Sequence, residues 1–172
     1  MTDILPADPF NQNPPNVWLT SFWDFRPDSC GFLGFSQEVH RRSFLEKSRP
    51  ECLVVVYVTK TSSRARELRG KIAGFLQVTR EIGLASKFMH VDAYVTKEHD
   101  PEMKKRWNFG VRAIRAWRVE GNSPPLINEI APKTYGSAHP RFIAGRGVPF
   151  DATEALKLRD IKVFEVPVFQ GN

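Results

Sequence analysis

Aromatic side chains are dense between residues 18 and 35, where a strand and the loop after it are predicted. Flat aromatic faces can stack on a nucleobase that has left its helix, and each such stack contributes about 1–3 kcal/mol of binding. Some of these rings must belong to the core, but a short strand and a loop cannot bury them all. At least one is therefore expected at a rim. The six are Trp18, Phe22, Trp23, Phe25, Phe32 and Phe35.

The most basic stretch of the chain is KTSSRARELRGK, residues 60–71, in which Glu67 is the single acidic residue. Basic side chains in a connection between two strands can contact nucleic-acid phosphates, and a solvated hairpin loop is an equally good interpretation. We expect a surface here that contacts the nucleic-acid backbone, together with two arginines on a neighbouring helix. Its residues are Arg41, Arg42, Lys60, Arg64, Arg66, Arg69 and Lys71.

Catalytic and metal-binding patterns are weak in this sequence. The four histidines are scattered, and none stands at the spacing of a zinc site or a metalloprotease motif. There is no Walker loop, no GxGxxG after a strand and no GxSxG elbow. Asp92, His99 and Asp100 could build an acid–base site, but isolated residues of these types are more often on the surface. The sequence favours binding over catalysis, with no metal and no cofactor.

The chain has 172 residues, of which 41% are hydrophobic, and a formal net charge of +6. This length is enough for one domain with a substantial core. We expect an irregular arm over residues 1–16 and a single domain over residues 17–172. The basic balance favours an acidic partner such as nucleic acid.

Targeting signals are not evident in the sequence. No window of eighteen apolar residues occurs, and the first residues lack the basic start and apolar region of a signal peptide. The two cysteines, Cys30 and Cys52, have no metal-ligand spacing. A cytoplasmic location without a membrane partner is the resulting expectation.

The central strand is predicted over residues 52–58, CLVVVYV, because seven apolar and largely β-branched residues are typical of a strand buried on both faces. Its partner is expected over residues 71–78, where Gly74 indicates a bulge or a close backbone approach. Helices are predicted over residues 37–47 and 152–158, with a turn or two at 126–130. Further strands are predicted over residues 17–23, 88–95, 109–119 and 162–169, the second of them as a strand or a strand followed by a loop.

These elements amount to about six strands, mostly antiparallel because their connections are short, with two or three short helices. A sheet of this kind curls or closes on itself. The predicted fold is therefore α+β, a small curled mixed β-barrel.

Six segments occur in a recognisable order between residues 17 and 130. They are VWLTSFW, then GFS before a basic helix, then CLVVVYV, GKIAGFLQV, HDPEMKKRWNFGVRAIRAW and SPPLINEI. This order resembles the EVE-like and YTH-like branch of the PUA-like superfamily. One departure is Glu51-Cys52 before the central strand, where the family often has Gly-Asp.

The resemblance implies a reader that takes a modified base into an aromatic cage and has no catalytic activity of its own. It suggests modified cytosine in DNA, such as 5-methylcytosine, read for a modification-dependent restriction system in which a nuclease domain follows or associates with the chain. The alternative is an RNA-binding PUA-like or YTH-like module, or a small RNA-modification accessory protein. The pocket predicted in this way consists of Ser21, Phe22, Trp23, Asp24, Phe35, Ser36, Tyr94 and Trp107.

Overall fold

One mixed β-sheet of seven strands runs through residues 2–171, the part of the chain that this computed structural model describes. Met1 of the predicted arm and Asn172 of the predicted domain lie outside these residues. The strands are β1 (Val17–Phe22), β2 (Phe32–Phe35), β3 (Leu53–Val58), β4 (Ile72–Leu84), β5 (Phe109–Val119), β6 (Val148–Pro149) and β7 (Val163–Val166).

Nine helices connect the strands within residues 2–171, three times the largest number predicted. They are α1 (Asp8–Asn11), α2 (Glu38–Lys47), α3 (Ala85–Phe88), α4 (Val91–His99), α5 (Pro101–Lys104), α6 (Ile127–Ile130), α7 (Pro132–Gly136), α8 (Pro140–Arg146) and α9 (Ala152–Lys157). Single 3-10 turns lie at Arg66–Leu68 and Leu158–Asp160.

The sheet is open. Its strand order is β2-β5-β4-β3-β1-β6, and β7 pairs with the second half of β5 while β2 pairs with the first half. Strands β1 and β3 are parallel, and the other pairs are antiparallel. The α+β class and the mixed sheet are confirmed, but the prediction of a barrel is wrong. The outer strands are too short to close the sheet, since β2 has four residues and β6 only two.

Strand β3 lies in the middle of the sheet and is buried on both faces, as its composition predicts. Val55 and Tyr57 belong to the core on one face, and Val54 and Val56 to the core on the other. On the neighbouring strand, Gly74 permits the predicted close approach: a Cβ there would lie 2.3 Å from the Trp117 carbonyl oxygen. The register of β3 against β4 shifts at the same place.

The segment predicted as a strand over residues 88–95 is helical instead. Its apolar residues suggest a β-pattern, but local capping decides the structure. His90 Nδ1 accepts a hydrogen bond from the Asp92 N–H at the start of α4, and Asp100 accepts from the Glu102 and Met103 N–H groups at the start of α5. This helical pair supplies one wall of the cavity described below.

The two ends of the chain contain more regular structure than the sequence indicates. Residues 131–150, predicted as a long connection, hold α7, α8 and β6. The predicted N-terminal arm contains α1, and Asp3 forms a β-bridge with Val163. Helices α2 and α9 and strand β5 form close to where the sequence predicts them.

Candidate functional site

A cavity of about 470 Å³ opens where the end of β1 and the loop after it face α4 and the residues before β5. Its walls are largely apolar, and its polar side chains come from three separate segments. The apolar lining includes Phe22, Trp23, Phe25, Phe32, Met89, Ala93 and Trp107, and the polar lining includes Asp24, Arg26, Arg64, His90, Asp92 and Lys97.

Two tryptophans form the most distinctive wall of the cavity. The rings of Trp23 and Trp107 meet edge to face, with centroids 5.0 Å apart and planes at 83°. Phe22 packs against Trp107 in the same manner at 5.8 Å. The Arg106 guanidinium lies 4.9 Å from the Trp23 ring centroid, a cation–π arrangement. Both indoles are only half-buried, so each keeps surface available to a ligand.

The position of Trp107 depends on Gly34 and Ser36, which contact it in the structure although they lie far from it in the sequence. Its backbone adopts φ 54°, a left-handed conformation that costs a residue with a side chain about 1–3 kcal/mol. Ser36 Oγ accepts a hydrogen bond from the Trp107 N–H at 3.1 Å. Gly34 leaves room for the side chain, since a Cβ at Gly34 would lie 2.8 Å from the Trp107 Cβ. The GFS segment thus supports Trp107.

The loop after β1 presents Asp24 to the cavity. One carboxylate oxygen of Asp24 accepts a hydrogen bond from the Phe25 N–H at 2.7 Å, which fixes the side chain. Phe25 is buried beneath the loop, and its carbonyl oxygen accepts from Arg118 Nη2 at 3.0 Å. The carboxylate is therefore an anchored acceptor on an otherwise apolar wall.

Lys97 is the most unusual polar residue of the lining, because its side chain is only 1% exposed. Its ammonium donates to Asn108 Oδ1 at 2.5 Å and to the Lys104 carbonyl oxygen at 3.3 Å, while the Glu98 carboxylate stands 3.7 Å away. Burial lowers the pKa of this ammonium. The sequence does not point to Lys97, because a strand is predicted over residues 88–95 and the helix that carries Lys97 on its buried face is not.

Three arginines stand at the rim of the cavity, beside the exposed carboxylate of Asp92. Arg26 and Arg64 both line the cavity and are exposed, and Arg106 lies over Trp23 beside them. Arg64 Nη2 pairs with the Asp100 carboxylate at 2.9 Å, which connects the basic loop to α5 across the rim. The same loop is tied to the tryptophan wall, since Ser62 Oγ donates to the Trp23 carbonyl oxygen at 2.6 Å.

Of the eight residues predicted for the pocket, the structure brings four together in the cavity lining: Phe22, Trp23, Asp24 and Trp107. The other four lie elsewhere. Ser21 is buried on the opposite face of β1, opposite Tyr57 in the register. Phe35 is 3% exposed and packs on Phe44 in the core. Ser36 is exposed and holds Trp107, and Tyr94 packs against the core cluster around Phe88.

The predicted basic surface does not form one cluster. Arg41 is buried, and its guanidinium donates to the carbonyl oxygens of Gly83 and Gly110, so its role is structural. Lys60 lies 5.4 Å from the centroid of the Tyr135 ring, and Arg69 Nε donates to the Ser62 carbonyl oxygen. Arg64 stands at the cavity. The remaining three are Arg42 and Arg66, which are exposed, and Lys71, which is half-buried.

Metal chemistry has no evident site in residues 2–171, where no three His, Cys, Asp or Glu side chains come together as a possible ion site. Burial raises the pKa of the Cys30 thiol in the cavity lining, which keeps it protonated and weakly nucleophilic. The helices of the same residues are all too short or too polar to span a bilayer.

No protein-family model matches the sequence, and no curated protein matches it.

Proposed function

We propose that this chain is a nucleic-acid reader that receives a flipped, modified base in the cavity, with modified cytosine in DNA as the favoured ligand. One observation carries the proposal. Two half-exposed tryptophans, Trp23 and Trp107, stand in the wall of a single cavity whose rim carries Arg26 and Arg64. Aromatic faces for a base beside cations for its phosphates are the two features that such recognition requires.

Base flipping makes two energetic demands on a binding cavity. Taking a base out of a duplex costs a few kcal/mol, and stacking it on aromatic side chains returns about 1–3 kcal/mol. Burying one methyl group adds about 0.8 kcal/mol, so discrimination of a methylated base requires close apolar walls. The volume of about 470 Å³ lies in the range of small-ligand pockets, roughly 300–1,000 Å³.

Asp24 supports cytosine as the base. A carboxylate accepts hydrogen bonds from the exocyclic amino group of cytosine, whereas thymine and uracil carry a carbonyl oxygen at that position. The Asp24 side chain is held by its own loop and lines the cavity, so it needs little reorganisation to accept such a bond.

The biological setting belongs to the same proposal. A domain that binds a modified cytosine without cutting DNA would serve as the recognition module of a modification-dependent restriction system, with a nuclease domain fused or associated. The ordered motifs that resemble EVE-like and YTH-like domains support this setting. RNA recognition by a PUA-like or YTH-like module is the alternative.

A binding panel tests the proposal. Fluorescence anisotropy would compare DNA and RNA oligonucleotides of one sequence, each with cytosine, 5-methylcytosine or 5-hydroxymethylcytosine, for wild type, Trp107→Ala and Phe142→Ala. Phe142 is the matched control because it is an exposed aromatic residue outside the cavity. We expect tighter binding of modified DNA, a loss of about 1–3 kcal/mol in Trp107→Ala, and wild-type affinity in Phe142→Ala.

Two results of the panel would overturn the reader proposal. One is equal affinity of the wild type for modified and unmodified oligonucleotides, and the other is unchanged affinity of Trp107→Ala for the modified DNA. A preference for modified RNA over modified DNA would instead support the alternative.

A further inference from the structure

The turn that carries Trp107 is held from both sides. Lys97, on α4, donates to the Lys104 carbonyl oxygen before the turn and to Asn108 Oδ1 after it. Ser36 Oγ accepts from the Trp107 N–H on the opposite side. The three hydrogen bonds bracket the residue whose backbone has the positive φ.

Trp107 packs against the core cluster around Phe88, but the residues immediately before it have little packing of their own. Helix α5 before it has four residues, and the side chains of Lys104, Lys105 and Arg106 are exposed. A left-handed backbone at a bulky residue persists only where the surrounding structure over-determines it. The hydrogen bonds from Lys97 therefore constrain the backbone on both sides of Trp107, in addition to the packing of its ring.

Lys97 is a charged residue in a buried position, and this position requires a structural reason. An ammonium withdrawn from water is costly, and apolar side chains of similar size often replace buried charges without loss of stability. Lys97 donates hydrogen bonds to two neutral oxygens, and the carboxylate near it is that of Glu98, which forms an ion pair with it at 3.7 Å. Because both hydrogen bonds go to residues on either side of Trp107, the orientation of the Trp107 turn is a specific reason for a lysine at this position.

We infer that Lys97 is a positioning residue for ligand recognition: by holding Lys104 and Asn108 it fixes Trp107 against Trp23 and so sets the geometry of the aromatic wall. The expected effect of Lys97 on ligand binding rests on the proposed reader function. The expected effect on the tryptophan pair is independent of any ligand.

The first experiment uses Lys97→Met, which keeps the length and burial of the side chain and removes its donors. Circular dichroism in the far ultraviolet reports the couplet of the edge-to-face Trp23–Trp107 pair, and Trp23→Phe identifies that signal. We expect Lys97→Met to melt cooperatively near the wild-type temperature while its couplet largely disappears. Lys104→Met, which removes a nearby exposed charge, is the matched control and should retain the couplet.

The second experiment is a double-mutant cycle with the 5-methylcytosine DNA oligonucleotide. Lys97→Met should weaken binding about tenfold in the wild-type background and not at all in the Trp107→Ala background, because its effect passes through that ring. A purely electrostatic effect of removing the charge would persist in Trp107→Ala and would also appear in Lys104→Met.

The inference is overturned if Lys97→Met retains the couplet, or if its effect on binding is undiminished in the Trp107→Ala background. If Lys97→Met fails to fold, Asn108→Ala is used instead, because it removes the acceptor of the hydrogen bond from Lys97. The same two results would then overturn the inference. If the wild type binds none of the oligonucleotides, the reader function fails, and the couplet alone decides whether Lys97 positions Trp107.

Discussion

Trp23 and Phe35 are similar in the sequence, since each is an aromatic residue at one end of the same loop, but they lie in different environments. Phe35 is 3% exposed and packs on Phe44 in the core, whereas Trp23 is half-buried and lines the cavity. The serines divide in the same way. Ser21 faces the opposite core, and Ser36 supports the backbone of Trp107. The type of a single residue therefore does not predict whether it belongs to the core or to the cavity.

This difference yields a paired prediction. Phe35→Ala should lower the free energy of unfolding by about 3–5 kcal/mol, because it leaves a cavity in the core. Trp23→Ala should leave the melting temperature close to wild type and weaken binding of modified oligonucleotide by about 1–3 kcal/mol. Chemical denaturation and anisotropy titration measure the two quantities. A collapse of the fold in Trp23→Ala would assign that ring to the core.

The side chains of the basic loop, residues 60–71, do not share one surface. The sequence predicts one cationic surface, but the side chains of the loop face several ways: Arg64 stands at the cavity rim, Lys60 lies over Tyr135, and Arg69 is tied to the Ser62 carbonyl. Only part of the loop can therefore reach the phosphates of a base held in the cavity. The loop also supports the site, through the hydrogen bond from Ser62 to Trp23.

We predict that the double variant Arg64→Ala, Arg66→Ala weakens binding to all oligonucleotides alike. The slope of log K against log salt should become shallower by up to about 0.9 for each phosphate that the variant no longer neutralises. Arg159→Ala is the matched control, since Arg159 is exposed and lies over Phe10, away from the cavity. A salt series in the anisotropy assay measures the slope, and an unchanged slope in the double variant would remove the loop from the interface.

For the molecule as a whole, stability depends on a sheet with a core on each face. Strand β3 lies between β1 and β4 and contributes to both cores, so it joins the two halves of the structure. The cavity lies at the end of β1, where α4 and α5 contribute to its lining. Changes in β3 should consequently affect the whole fold, while changes in the cavity lining should affect the site.

Val55→Asp is expected to unfold the protein. Val55 is fully buried in β3, and an unpaired buried charge costs several kcal/mol against a total stability of about 5–15 kcal/mol. Val39→Asp places the same charge on an exposed position of α2 and should stay folded. Thermal denaturation followed by circular dichroism distinguishes them. A cooperative melt of Val55→Asp near the wild-type temperature would contradict the central position of β3.

Local pattern in the amino-acid sequence was enough to predict several elements. The apolar run at residues 52–58 predicts a strand buried on both faces, the alternation at residues 109–119 predicts β5, and Gly74 predicts a close backbone contact. Together with the helices predicted near α2 and α9, these strands give the α+β class, because side-chain periodicity and glycine geometry are properties of short segments.

Whether the sheet closes, which aromatic rings reach the cavity and what holds them depend instead on the tertiary structure. Four of the eight residues predicted for the pocket line it, and Lys97 joins the lining because residues 91–99 form a helix. Ser36 and Trp107 are 71 positions apart, and no local pattern predicts their hydrogen bond. It depends on the pairing of β2 with β5, and long-range strand pairing is set by the packing of the whole chain.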